Sequence, residues 1–184
     1  MHDDELWQEY LANGERLMNG GLKKEEKSKN FYSGVAIMLY RYKDGKIEFL
    51  FQHRSKNIIG NPDKWDVSTG GHINYGEPVL ETAVREAKEE IGADIYADKL
   101  EYAGEYLAVK NNAYVRLYFY DWQDRPSDFY FDDQEVSEVK WVPFDKLVEF
   151  WPNLKQILQD DAIYQTMLLK WAKIIQEKYG NHQS

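Results

Sequence analysis

The stretch Gly70-Gly71-His72-Ile73-Asn74-Tyr75-Gly76-Glu77, continuing through Pro78 to Arg85-Glu86-Ala87-Lys88-Glu89-Glu90-Ile91-Gly92, decides the reading of this sequence. From Glu77 to Ile91 the period is helical: Leu80, Val84, Ala87 and Ile91 share one face, and Ala83 completes it. Pro78 suits the first turn, where its missing N–H costs nothing, and Gly92 suits the C-terminal stop. At about 100° per residue, Glu86, Glu89 and Glu90 fall within one arc of roughly 100°, expected opposite the apolar face. Glu86 and Glu90 are i,i+4 neighbours, as are Arg85 and Glu89. Two glutamates stacked this way repel by a few tenths of a kcal/mol. Hard divalent cations such as Mg²⁺ prefer carboxylate oxygens and reverse that repulsion. For an arbitrary acidic helix a solvated charged face is the ordinary reading.

Outward from this stretch the chain reads as a mixed sheet covered by helices, an α/β (α+β) arrangement. Strands are expected at Tyr32–Tyr42 and Lys46–His53, joined by Lys43-Asp44-Gly45, whose Asp-Gly pair is a hairpin signal. Further strands are expected around Trp65–Ser68, Leu100–Lys110, Tyr114–Gln123 and Val139–Val142, with helices over Phe144–Phe150 and Ala162–Lys178. Leu6, Trp7, Tyr10, Leu11, Leu17 and Met18 form a rough helical stripe that ends at Gly20-Gly21. The charged run Lys23–Lys29 then reads as a linker. Residues 1–30 are therefore expected to form an N-terminal helix and linker, and residues 31–184 one domain with C-terminal helices.

Composition narrows the function classes. Hydrophobic residues make up 43% and charged residues 30% of 184, as in an ordinary globular domain. No cysteine is present, which removes disulfides, thiolate nucleophiles and Cys-based zinc sites together. The net charge of −9 opposes binding to duplex nucleic acid, but a small diphosphate can approach carboxylates when divalent ions lie between them. The longest apolar run, Val35–Tyr40, is far short of a membrane span, and Met1–Glu5 carries neither the basic nor the apolar stretch of a secretory signal, so a cytoplasmic protein is expected.

The segment fits G-x5-E-x7-R-E-U-x-E-E-x-G-U, with Gly71, Glu77, Arg85, Glu86, Glu89, Glu90 and Gly92 in the fixed places. Seven such matches arise by chance about once in 10⁸ starts. The pattern resembles the Nudix box, with Ala87 and Ala93 as smaller apolar residues than usual. The resemblance extends across about Tyr32 to Leu147 and implies a Nudix fold, a mixed sheet between helices, with the box as loop–helix–loop. It implies a metal-dependent pyrophosphohydrolase acting on a nucleoside diphosphate linked to another moiety, with Mg²⁺ or Mn²⁺ as cofactor. Carried over by position, Glu86, Glu89 and Glu90 hold metal, the Gly71 carbonyl is a further ligand, and Glu77 and Arg85 orient the glutamates. The general base stays open among a box glutamate, Glu135 and Glu138.

Upstream, Phe51-Gln52-His53-Arg54-Ser55-Lys56, Pro62-Asp63-Lys64-Trp65-Asp66 and Gly70-Gly71-His72 look like the isopentenyl-diphosphate-isomerase-like branch. True isomerases carry a catalytic cysteine where this chain has Gly70, and they lack the intact Arg-Glu…Glu-Glu run, so isomerase activity is disfavoured. Arg54 is the upstream candidate for gripping phosphate, since its planar fork suits bidentate contact. Lys64 and Lys56 are further candidates, weighed against the abundance of surface lysines. His72, at the place of a metal ligand in the isomerases, is read as a loop histidine lining the site and a candidate for binding substrate, in preference to a direct metal ligand; His53 is read as a packed strand residue, and His2 and His182 as tail residues. The aromatics Tyr114, Tyr118, Phe119, Tyr120 and Trp122 are read as core in preference to a base-stacking surface. A non-catalytic ligand sensor is the rival reading, and the intact carboxylate set counts against it. Trp151, Trp171 and the N-terminal helix are expected to cover either their own core or a partner subunit, which leaves a homodimer open.

Overall fold

Val35 to Tyr40 is apolar without alternation because both faces of its strand are buried, the pattern of a central strand covered on two sides. In a computed structural model describing residues 6–23, 29–59, 61–109, 112–126, 128–132, 134–154 and 162–180, this strand organises a mixed sheet. In chain order the strands are β1 (Leu6–Trp7), β2 (Glu9–Tyr10), β3 (Leu22–Lys23), β4 (Phe31–Lys43), β5 (Lys46–Arg54), β6 (Trp65–Asp66) and β7 (Thr69–His72). Then follow β8 (Glu101–Ala108), β9 (Ala113–Asp121) and β10 (Val136–Pro143). The helices are α1 (Val79–Ile91), α2 (Leu147–Phe150) and α3 (Ala162–Gly180).

The main sheet runs β10-β5-β4-β9-β8, with β4 parallel to β9 and the other pairs antiparallel. The β4–β5 hairpin turns at Asp44 and Gly45, both left-handed at φ 51° and 79°. One edge of β4 is shared in succession. Tyr40–Lys43 pair with β5, Gly34–Ile37 with β7, and Phe31–Tyr32 with β2. Where β5 and β7 part, Ser68 fills the gap: the Leu39 amide donates to its Oγ at 2.8 Å, and Oγ donates to the Leu50 carbonyl at 2.6 Å.

Alternation on β4 builds two cores. Val35, Ile37 and Leu39 face α1 through Ala83, Ala87 and Ile91. Ala36, Met38 and Tyr40 face α2 and α3, where Tyr164, Leu168, Ala172 and Ile175 recur at helical spacing. The end of α3 is fixed by Lys178, which donates to Tyr40 and Asp121 at 2.9 and 2.8 Å. Trp171 stacks on Phe119 and Trp151 packs against Tyr164, so both tryptophans cover the chain's own core. The aromatic run expected to be core is buried from Tyr118 to Trp122, split between the two faces.

Several expectations need correction. The N-terminal segment is extended rather than helical. Its backbone groups pair with the sheet: Gln8 and Tyr75 amides donate to Ile73 and Leu6, and the Ser33 amide donates to Gln8. Gln8 and Glu9 are buried alongside Trp7 and Tyr10, a pattern that no one-sided helical stripe produces. Non-local pairing with β4 overrides the local apolar period. The Phe144–Phe150 helix is a 3₁₀ turn followed by the single α-turn α2, and the Trp65–Ser68 strand stops at Asp66 because Ser68 leaves the ladder to bridge β4 and β5. Residues 24–28 of the linker, Lys110, His2 and His182 lie outside the described residues.

Ser68→Ala leaves a buried amide and a buried carbonyl without their shared hydroxyl. The expected loss is about 1–3 kcal/mol of unfolding free energy, read from the urea midpoint at unchanged slope.

Candidate active site

Helix α1 is rotated relative to the expectation from its apolar residues. Ala83, Ala87 and Ile91 are buried as anticipated, but Leu80 is 37% exposed, while Thr82 and Glu90 are buried. Glu90 therefore points into the fold, 6% exposed, instead of standing opposite the packed face. The reason lies on β7, where Gly70 and Gly71 bring the strand backbone against the helix. A Cβ on Gly71 would overlap the Glu86 carboxylate, and one on Gly70 would lie 2.5 Å from the Val35 carbonyl oxygen. Without these two glycines, neither the helix nor β4 could approach β7 so closely. Gly92 ends α1 in the left-handed conformation, φ 65°, as its place in the pattern requires.

Three neutral donors converge on one oxygen of Glu90. Thr69 Oγ1 donates to Oε2 at 2.7 Å, the Gly70 amide at 2.9 Å and Gln52 Nε2 at 3.3 Å. Among the described residues, no cation shares that shell. Burial, followed by the charge of Glu86, pushes the Glu90 carboxyl up to about 8, against the pull of the Thr69 and Gly70 bonds. Burial also raises Glu86 to about 7, partly opposed by Arg85. Two acids are thus held together with less positive charge than they need.

Arg85 organises the outer half of the box. Its Nε and Nη2 grip the two oxygens of Glu77 at 3.1 and 3.2 Å, while Nη1 reaches Glu86 and Glu89 at 3.0 Å each. Burial disfavours the Glu77 charge, but the Arg85 and Thr82 bonds outweigh it and hold the carboxyl below its usual range. Glu89 is 54% exposed and turned to Arg85. The structure thus joins Glu77, Arg85, Glu86, Glu89 and Glu90 with Gly70 and Gly71. Among the described residues, no three acidic or histidine side chains are yet gathered closely enough to hold a metal ion.

The other expected site residues disperse around this centre. Alternation along β5 places Leu50, Gln52 and Arg54 on the α1 side, and Arg54 Nη1 lies 3.6 Å from the buried Asp66. Glu135 is exposed at the end of β5, where its carbonyl accepts the Ser55 amide at 2.8 Å. Glu138 is exposed 4.0 Å from His53 Nδ1, and Lys64 is exposed in the turn before β6. His72 is a correction: next to Gly71 in β7, it faces away from α1 and stacks on Trp7, with centroids 3.9 Å apart and planes within 5°.

Gln52 and Thr69 complete the centre without having been anticipated. The signal was a polar residue in the apolar β5 run Phe49-Leu50-Phe51-Gln52. Gln52 is 1% exposed, and among the described residues its Oε1 has no hydrogen-bond partner. An orphan acceptor beside two under-neutralised carboxylates is a donor set suited to a hard divalent cation or its water shell.

Residues 31–162 match the NUDIX domain. The chain is 30% identical over 146 residues to an uncharacterized Nudix hydrolase of Clostridium acetobutylicum, an alignment covering 76% of this chain and 70% of that protein. Among solved structures it resembles a C. elegans Ap4A hydrolase in a binary complex, at 24% identity and TM-score 0.57, covering 78% of this chain and 96% of that one. It also resembles a bifunctional NMN adenylyltransferase/ADP ribose pyrophosphatase of Francisella tularensis complexed with AMP and a manganese ion. That match has 16% identity and TM-score 0.60, covering 80% of this chain and 44% of that one.

The raised acids make stability depend on pH. Glu86 and Glu90 keep protons in the folded state that the unfolded chain releases near its ordinary pKa, so their contribution is full below that value and is lost as pH rises through about 7 to 8. In chelator, the melting temperature is expected to fall by about 5–10 °C between pH 5 and 8.5. Glu90→Gln should flatten most of that slope in scanning calorimetry.

Proposed function

The chain belongs to the Nudix hydrolase family, a hydrolase acting on diphosphate bonds, and we propose that it is a metal-dependent pyrophosphohydrolase of a nucleoside diphosphate linked to another moiety. The observation that carries this reading is Glu90, buried beside Glu86 against Gly70–Gly71 and bound by three neutral donors. A structural acid in that position would be paired with Lys or Arg. An acid held this way suits a site completed by a cation.

Glu86, Glu90 and the Gly71 carbonyl would hold Mg²⁺ or Mn²⁺, with Glu89 joining them by exchanging its contact with Arg85. Such an ion neutralises a diphosphate, polarises phosphorus and lowers the pKa of a bound water. The chain's own residues supply orientation. Thr69, Gly70 and Gln52 fix Oε2 of Glu90 and leave Oε1 outside that shell. Arg85 is braced by both oxygens of Glu77, so its third nitrogen sets the directions of Glu86 and Glu89. Arg54, on the same face of β5 as Gln52, is the phosphate-gripping candidate, and Asp66 holds its guanidinium ready. Lys64 stands nearby in sequence as a weaker candidate. For the general base the candidates are a box glutamate and the exposed Glu135 and Glu138 at the β5–β10 end of the sheet.

The close approach of Gly70 to Val35 bears on the isomerase alternative. At that position the backbone leaves no room for any side chain, let alone the isomerase cysteine. The protein is therefore expected not to interconvert isopentenyl and dimethylallyl diphosphates. Isomerisation above background would contradict this.

Glu90→Gln keeps side-chain shape and removes one ligand charge. Hydrolysis of nucleoside diphosphate derivatives with Mg²⁺ should fall at least ~10²-fold, and the stabilisation that Mg²⁺ gives the wild type should shrink with it. Full activity in the variant, on a substrate the wild type cleaves, would show that the pair is not the catalytic centre.

A further inference from the structure

One row of residues crosses the α1 side of the sheet in register: Gly71 on β7 opposite Val35 on β4, Val35 beside Arg116 on β9, and Arg116 opposite Glu105 on β8. Two strand spacings of about 4.8 Å place Arg116 about 10 Å from Gly71. Helix α1 packs on β7 and β4, and beyond it the sheet presents a polar, aromatic shelf. Tyr102 is 52% exposed there, its ring 5.5 Å from that of Tyr118. The Glu105 side chain is 43% exposed and 3.7 Å from Arg116 Nε. Its carboxylate accepts the hydroxyl of Tyr114.

Arg116 is fixed from behind. Its guanidinium lies 4.4 Å from the Tyr10 ring centroid and 5.2 Å from that of Tyr114, and the two rings stack on each other. Its one hydrogen bond among the described contacts runs from Nη1 to Ser33 at 3.4 Å. A flattened, immobilised guanidinium with donors left over is pre-organised for an acceptor. Glu105 balances its charge, so the shelf is not a second phosphate site. It offers a donor group, an acceptor group and an exposed ring, at a distance from the box that a ribose can bridge.

On the pyrophosphohydrolase reading above, we propose that this shelf receives the nucleobase of the substrate. Tyr102 stacks on the face of the base, while Arg116 and Glu105 read its hydrogen-bonding edge. These residues then determine specificity for nucleoside diphosphate derivatives over diphosphates lacking an aromatic ring.

The test separates binding from hydrolysis. In chelator, AMP and ribose 5-phosphate are titrated calorimetrically into wild type, Tyr102→Ala, Tyr102→Phe and Arg116→Gln. AMP should bind the wild type and Tyr102→Phe at least tenfold more tightly than ribose 5-phosphate does, and Tyr102→Ala and Arg116→Gln should lose that advantage. Tyr102 is exposed, so its variants keep the test open if Arg116→Gln fails to fold. With Mg²⁺, Tyr102→Ala should raise KM for an ADP-linked substrate about tenfold, leave kcat within threefold, and leave the kinetics of a ring-free diphosphate unchanged. AMP binding no better than ribose 5-phosphate, or binding indifferent to Tyr102→Ala, overturns the proposal. Base-selective binding without hydrolysis of any diphosphate would instead count against the pyrophosphohydrolase reading and support the shelf.

Discussion

The structure turns on a carboxylate that is buried with no cation beside it among the described residues. Glu90 sits inside the fold beside Glu86, and its shell consists of a hydroxyl, a backbone amide and a side-chain amide. Burying such a group costs free energy unless the group keeps its proton or gains a counter-charge, and burial together with the Glu86 charge accordingly pushes its pKa up. The surrounding fold tolerates this cost. Gly70 and Gly71 let β7 approach the helix, the split edge of β4 makes space for β7 between β5 and β2, and Ser68 closes the gap that the split opens.

The box divides its work between two kinds of partner. Arg85 supplies positive charge, but it spends most of it on Glu77 and reaches only Glu86 and Glu89. The inner acid receives direction without neutralisation, because Gln52 and Thr69 can orient a carboxylate yet cannot satisfy its charge. A lysine in place of Gln52 would neutralise Glu90 directly, and on the proposed reading it would leave a divalent ion no charge to meet there. The Oε1 of Gln52, without a hydrogen-bond partner among the described residues, is a second cost on the same side of the sheet, and the proposed ligand chemistry would answer both.

Much of this was legible in the sequence where the signals were local. The Asp44-Gly45 hairpin, the strand at Tyr32–Tyr42 and the helix that ends at Gly92 follow from turn chemistry and periodicity, and the structure bears them out. The rotation of α1 was not legible from hydrophobicity, because a count of apolar residues assigns every glutamate to solvent and every leucine to the core. Leu80 and Glu90 reverse that assignment for a chemical reason. The N-terminal strands were hidden for a different one: Glu9 and Tyr10 find their partners at Tyr32 and Phe31, and a helical period is blind to pairing at that distance. His72, read as a loop residue, instead ends strand β7, where alternation turns its side chain away from α1 and onto Trp7.

The central claim is that the charge missing around Glu86 and Glu90 is supplied by a divalent cation. Crystals equilibrated with Mn²⁺ and measured for anomalous scattering test it most directly. The account predicts a strong anomalous peak within about 2.0–2.3 Å of carboxylate oxygens of Glu86 and Glu90, beside the Gly71 carbonyl. A protein that hydrolyses its substrate with Mn²⁺ while the only peak lies elsewhere, with Glu90 still in its neutral shell, would contradict it.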